Sequence, residues 1–271
     1  MRAKALCVTA ALGCIGVLGA PALAAPQPVK AAVLRSTGTM FLNQTIWREL
    51  NAGWSQFGET PVQIDYTSLA GYDWTLQDIE ATGADVLVFS VPGYMHHTDA
   101  EINAIIQYVQ EGHGLIITYD DFLWNRRALA PLVGLSTANV LGTATTTDPI
   151  QLEPLDPGQP LFDGLTSPYV SGVRFRARPD PGVPWRFDGG VVLANLFTKV
   201  IPRGPGIIAK DAGTYRGLYF SYYIEDKADG ANQQDMQVFY NGLLWTANVP
   251  EPATGLIVLA GAGCLLRRRR R

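Results

Sequence analysis

The chain has 271 residues, 47% of them hydrophobic and 17% charged, with a formal net charge of −3, three cysteines and three histidines. That length suits one large or two small domains and supplies ample chain for a packed core. The charge balance is not basic enough for a nucleic-acid binder, and the apolar content is too high for a disordered protein.

Residues 1–24 begin with Arg2 and Lys4, continue through an apolar run from Ala5 to Ala20, and end at Pro21-Ala22-Leu23-Ala24-Ala25. A positive start, a short apolar stretch and an Ala-x-Ala site form the pattern of a secretory signal peptide cut after Ala24, so the working protein is expected to be exported. Leu12-Gly13-Cys14 makes only a poor lipoprotein box, because Ala11 is a weak residue for it.

The body, 25–248, opens with a buried-type strand over Lys30–Leu34 and a helical stripe at Leu42, Ile46, Leu50 and Trp54. Val62–Tyr66 reads as a second strand and Asp85–Val91 as a third. Thr98-Asp99-Ala100-Glu101 then has the form of a capping box, followed by Ile102, Ile105, Ile106 and Val109 on one helical face, with Gly112 as the residue after the helix. Leu115–Thr118 is the next strand. Continuous apolar strands separated by a helix predict an α/β fold with a parallel sheet covered by helices on both faces.

Farther on, Gln159–Leu165 reads as a loop and Asp180-Pro181-Gly182 as a turn. Short strands are expected over Val173–Arg178, Val191–Ala194, Gly206–Ala209 and Gly217–Tyr222, with a closing helix over Gln234–Ala247. Glu225-Asp226-Lys227-Ala228-Asp229-Gly230-Ala231-Asn232 fails the calcium-loop pattern, because Lys227 and Met236 fall where oxygen ligands are needed, and reads as an acidic surface loop.

The last residues, 249–271, carry Pro250-Glu251-Pro252, an apolar stretch through Leu266, and the cluster Arg267, Arg268, Arg269, Arg270 and Arg271. As a helix, the stretch from Ala253 to Leu266 would rise about 21 Å, short of a hydrocarbon core of roughly 30 Å, although arginine stems can snorkel. This tail resembles the PEP-CTERM sorting signal. The resemblance implies export through the secretion machinery, a short transmembrane helix held in the inner membrane with the body on the periplasmic side, and processing by an exosortase-type enzyme. Such processing would release the body or transfer it to the cell surface. The basic cluster sets the same orientation on physical grounds, since it stays cytoplasmic, and an ordinary uncut anchor would share that topology.

Setting the two ends aside removes seven basic residues and one acidic one, which leaves 14 basic against 23 acidic and a body charge of about −9. All three cysteines, Cys7, Cys14 and Cys264, lie in those ends. The body therefore has no disulfide, no thiolate ligand and no cysteine nucleophile.

The order of elements resembles the class I glutamine-amidotransferase-like superfamily, and its ThuA-like branch in particular. The resemblance rests on the strand Ala84–Val91, the helix end Tyr108–Gly114, Leu129–Gly134, Gly158–Leu165 and Gly213–Tyr222. It implies a flavodoxin-like fold. In catalytic members a cysteine sits on a sharp strand-to-helix turn beside backbone donors. Here the corresponding strand runs into Tyr119-Asp120-Asp121-Phe122, so amidotransferase chemistry by the family route is excluded.

Open α/β sheets bind ligands beyond the carboxyl ends of their strands. His96 and His97 follow one such strand and Asp120 and Asp121 the next, with Tyr94, Tyr119 and Trp124 as aromatic neighbours. The group could bind a divalent metal, contact a sugar, or be an ordinary polar rim. No recognised metal spacing occurs, and no metal or other cofactor is expected. A serine hydrolase built on Ser90 and His96 lacks a Gly-x-Ser-x-Gly elbow, and His113 reads as a polar turn residue. Arg174, Arg176 and Arg178 alternate along a strand, either as a solvated face or as a strip that meets an anionic polysaccharide. The sequence thus describes an exported, membrane-tethered envelope or matrix protein with a non-catalytic binding or structural domain, for which carbohydrate is one candidate ligand. The alternative is a hydrolase or metal-assisted enzyme on the His96/His97/Asp120/Asp121 rim.

Overall fold

Strands whose residues are apolar at every position must be covered on both faces, and the computed structural model places them so. It describes residues 27–35, 46–69, 71, 73–90, 97–119, 122, 124–139, 141–145, 148–167, 169–173, 175–179, 184–199, 201–227 and 230–248. The leader and the arginine-rich tail lie outside these residues, as do Tyr94, His96, Asp120, Asp121 and Arg174.

The strands β1 (Val29–Arg35), β2 (Val62–Asp65), β3 (Val86–Ser90), β4 (Gly114–Thr118) and β11 (Arg216–Phe220) pair in parallel in the order β2-β1-β3-β4-β11. Their even and odd positions feed two separate cores. Val33, Val88, Ile116 and Phe220 face α1 (Trp47–Gly53) and α4 (Gln233–Thr246). Leu34, Leu87, Ile117 and Tyr219 face α2 (Leu76–Ala81), α3 (Asp99–Gln110) and a 3-10 helix, Trp124–Val133. That helix lies close against β11: a Cβ added at Gly217 would sit 2.0 Å from the Leu132 carbonyl oxygen.

The sheet is not parallel throughout, as the sequence pattern suggested. Beyond β11 it continues through β10 (Ile201–Asp211), β9 (Val191–Thr198), β6 (Ile150–Pro154) and β7 (Tyr169–Ser171), all antiparallel, to make nine strands. β9 and β10, and β10 and β11, are joined by short hairpin connections, and β6 and β7 by a longer segment that carries the 3-10 turn Pro160–Phe162; without an α-helical crossover such neighbouring strands pair antiparallel. β5 (Leu141–Thr145) and β8 (Phe175–Pro179) form a separate two-stranded ribbon, and Arg176 and Arg178 occupy alternate positions of β8.

The predicted capping box is present. The Thr98 hydroxyl accepts from the Glu101 amide at 3.2 Å while the Glu101 carboxylate accepts the Thr98 amide at 2.7 Å. Among the described residues no helix is long and apolar enough to cross a membrane.

Candidate functional site

Three neighbouring parallel strands end at one level. Ser90 pairs with Thr118 across β3 and β4, and Thr118 pairs with Phe220 across β4 and β11. Both polar residues end strands that are otherwise apolar, and both are buried. Their partner is Glu225, five residues past β11, which has no exposed surface at all.

The Ser90 hydroxyl donates to Glu225 Oε1 at 2.7 Å, and the Thr118 hydroxyl donates to the same oxygen. Oε2 is buried and carries no hydrogen bond. Burial pushes the Glu225 carboxyl up to about 7, against the opposing effect of its two hydroxyl donors. The Glu225 backbone is fixed as well, since its carbonyl accepts the Ile46 amide at 3.0 Å ahead of α1. The acidic-surface reading of this segment is therefore corrected. Glu225 and Asp226 are buried because the chain folds back over the strand ends, and Lys227 turns outward to pair with Glu49.

At the end of β4 the backbone turns sharply. Tyr119 has a φ of 50°, and Phe122 and Trp124 have 52° and 53°. The left-handed region disfavours aromatic side chains, so each of these three positions is held in a constrained conformation. The Tyr119 amide donates to the Phe220 carbonyl at 3.0 Å, and its ring meets that of Tyr223 at 5.1 Å.

Of the predicted rim, His97 and Trp124 can be placed. His97 turns into the core, its ring 5.4 Å from Trp74 and 5.1 Å from Phe89, with Nδ1 3.9 Å from Glu101. Neither ring nitrogen has a hydrogen-bond partner. Burial pulls its pKa down to about 4, outweighing the upward pull of Glu101, so at neutral pH the ring is uncharged. Trp124 is 48% exposed, with the Arg126 guanidinium 5.7 Å from its ring centre. Asn125 ties the two rim loops together by donating to the His97 carbonyl at 2.5 Å and to Asp99 at 3.1 Å. Among the described residues no group of three histidine, cysteine or acidic side chains could hold a metal. His113, read as a polar turn residue, stacks on Tyr108 with ring centres 3.9 Å apart.

A second buried carboxyl lies at the start of α4. Asp235 accepts from the Tyr169 hydroxyl and from the Asn232 amide, and Tyr169 meets the Tyr222 hydroxyl at 3.3 Å. Burial raises Asp235 to about 7. Sequence reasoning missed both carboxyls. For Glu225 the available signal was the pair of hydroxyl residues, Ser90 and Thr118, that close two wholly apolar strands.

No protein-family model and no curated protein matches the sequence. Solved structures do match. A ThuA-like protein from Bacteroides uniformis is 14% identical, with 84% of this chain and 95% of that one covered and a TM-score of 0.55. The body shares its fold with that protein. A cytoplasmic protein from Salmonella typhimurium is similar at 14% identity, 80% and 98% coverage and a TM-score of 0.51. A cold-adapted β-galactosidase from Rahnella is similar at 16% identity and a TM-score of 0.52, over 83% of this chain but only 32% of that enzyme. At these identities the likeness concerns the fold alone.

Proposed function

We propose that this is an exported, membrane-tethered protein of the cell envelope or extracellular matrix, whose amidotransferase-like domain binds a ligand, of the carbohydrate class, without catalysing its conversion. The observation that carries the non-catalytic part is the turn after β4. It has the sharp, left-handed backbone that a nucleophile turn requires, yet it holds Tyr119, and the body contains no cysteine. Ser90 is no substitute, because its hydroxyl is buried and committed to Glu225.

The alternative, a hydrolase or metal-assisted enzyme, draws on four rim residues, and one of them, His97, is enclosed between Trp74 and Phe89. The export and sorting part rests on the Pro-Glu-Pro tail, its apolar segment and the five terminal arginines, together with the leader at the opposite end. Intact-mass measurement on the protein recovered from fractionated native cells tests that part. The expected product begins after Ala24 and lacks everything beyond the Pro-Glu-Pro region. A product retaining Arg267 to Arg271 in the inner membrane would replace exosortase processing with a plain anchor, and a cytoplasmic product with its leader intact would overturn export.

A further inference from the structure

We propose that Glu225, oriented by Ser90 and Thr118, is the recognition group of a binding site for a neutral, hydroxyl-rich ligand at the carboxyl ends of β3, β4 and β11. The proposal deepens the carbohydrate-binding reading above and rests on it.

Four observations lead here. The carboxyl is wholly buried, and no cation among the described residues meets it: Oε1 accepts from two hydroxyls, the residue's own backbone amide adds a further favourable contact, and Asp226 adds a like charge. An uncompensated buried carboxyl destabilises a fold, and a glutamine would accept the same two hydrogen bonds at no such cost. Its second oxygen is left without a partner, which is rare for a buried polar atom. Finally, the group sits where open α/β sheets receive ligands, and two aromatic rings in mutual contact, Tyr119 and Tyr223, adjoin Thr118 and Glu225 in the chain.

The chemistry of the group selects the ligand. With both hydroxyl protons directed at Oε1, the arrangement fixes the carboxyl plane and leaves Oε2 to meet an incoming group. Burial brings the carboxyl near the midpoint of its titration at neutral pH, so Oε2 can accept from a hydroxyl or, when protonated, donate to one. An alcohol offers both a donor and acceptors, and tyrosine rings suit the apolar face of a sugar. A fixed cation would instead call for a permanently ionised carboxylate, and a divalent ion for additional ligands. Because Glu225 has no exposed surface, a ligand reaches Oε2 only when the residues packed around it move apart, and slow association follows.

The test compares full-length wild-type protein with Glu225→Gln and with the double variant Ser90→Ala/Thr118→Val on an array of neutral and anionic oligosaccharides, with thermal melts to confirm folding. Neutral oligosaccharide binding to wild type that weakens tenfold or more in Glu225→Gln, and falls in the double variant, is the expected result. Neutral binding equal in wild type and Glu225→Gln overturns the site while leaving carbohydrate binding intact. Binding of anionic glycans alone, lost at high salt, overturns it in favour of the arginine strip. No retained glycan overturns both the site and the carbohydrate reading. A rise in melting temperature with zinc or calcium that Glu225→Gln abolishes would make it a cation site instead.

Discussion

Among the described residues, three buried ionisable side chains with large shifts bear on the response of this fold to pH between 4 and 7, and they act in opposite directions. Glu225 and Asp235 have ordinary pKa values of 4.5 and 3.8, and in the folded protein both stand near 7. Between the lower and upper values the native state holds protons that the unfolded chain releases. Their contribution is therefore favourable at low pH and declines as the pH rises through the window, becoming a full penalty above 7. His97 moves from 6.5 to about 4, so the unfolded chain takes up its proton first and stability is lost as the pH falls from 6.5 towards 4. Glu225→Gln is expected to raise the melting temperature at pH 8, by an amount on the order of 3 kcal/mol in stability, and to bring little gain at pH 5. His97→Phe should show the reverse dependence, with its gain over wild type greatest at pH 5. Melting curves of both variants across pH 4.5–8.5 check the signs, and parallel curves for wild type and variants would refute them.

At the scale of elements, the edge of the sheet at β2 is guarded by one side chain. The Asn51 amide donates to the Ile64 carbonyl at 2.8 Å and its oxygen accepts the Ile64 amide at 2.7 Å, which occupies the outward-facing backbone pair that a further strand would use. An uncapped edge invites pairing with another chain. Asn51→Ala should lower stability by about 1–3 kcal/mol and increase light scattering at temperatures below the melt. Unchanged scattering together with unchanged stability would show that the amide has no guarding role. Glu101 has a comparable double use: it closes the cap of α3 and accepts the Asp73 amide at 2.8 Å, joining that helix to the approach to α2.

The legibility of the elements follows from their burial. β1, β3 and β4 could be read because every position is apolar, and α3 because its cap and its stripe agree. β9 and β10 were recognised but are longer than the apolar patterns suggested, extending to Thr198 and back to Ile201, since a hairpin ladder can carry proline and polar residues. α2, β5, β6 and β7 are about as short as β3 and β4 but lack their unbroken apolar run, so neither period nor hydrophobicity marks them. Glu225 was hidden by its setting: Glu-Asp-Lys-Ala-Asp has the composition of a solvated loop, and only the register that aligns Ser90 with Thr118 shows otherwise.

For the molecule as a whole, the buried members of both cores run, among the described residues, from Val29 to Leu243. A fragment spanning residues 27–248 should therefore melt cooperatively, within a few degrees of the full-length protein. A broad, non-cooperative transition would mean that the ends contribute to the fold. The likeness in fold to a ThuA-like protein, expected from scattered stretches of the sequence, covers 84% of the chain. The antiparallel half was not foreseen because hairpin connections leave no helical period to detect. The apparently mild charge of the chain likewise combines an acidic body with a strongly basic tail.

The course of α4 has a consequence for orientation. It returns alongside the sheet to the end where the parallel strands begin: Arg216, the first residue of β11, donates to the Trp245 carbonyl at 3.1 Å, and a Cβ on Gly114, the first residue of β4, would meet the Thr246 side chain. β1 starts at this same pole, so the leader side and the tail side of the body emerge together. Glu225, Ser90 and Thr118 mark the opposite pole, one five-residue strand or about 17 Å away. With the proposed tether at one pole, the body would hang by its base from the membrane and present its carboxyl-bearing summit outward, towards whatever fills the space beyond the bilayer.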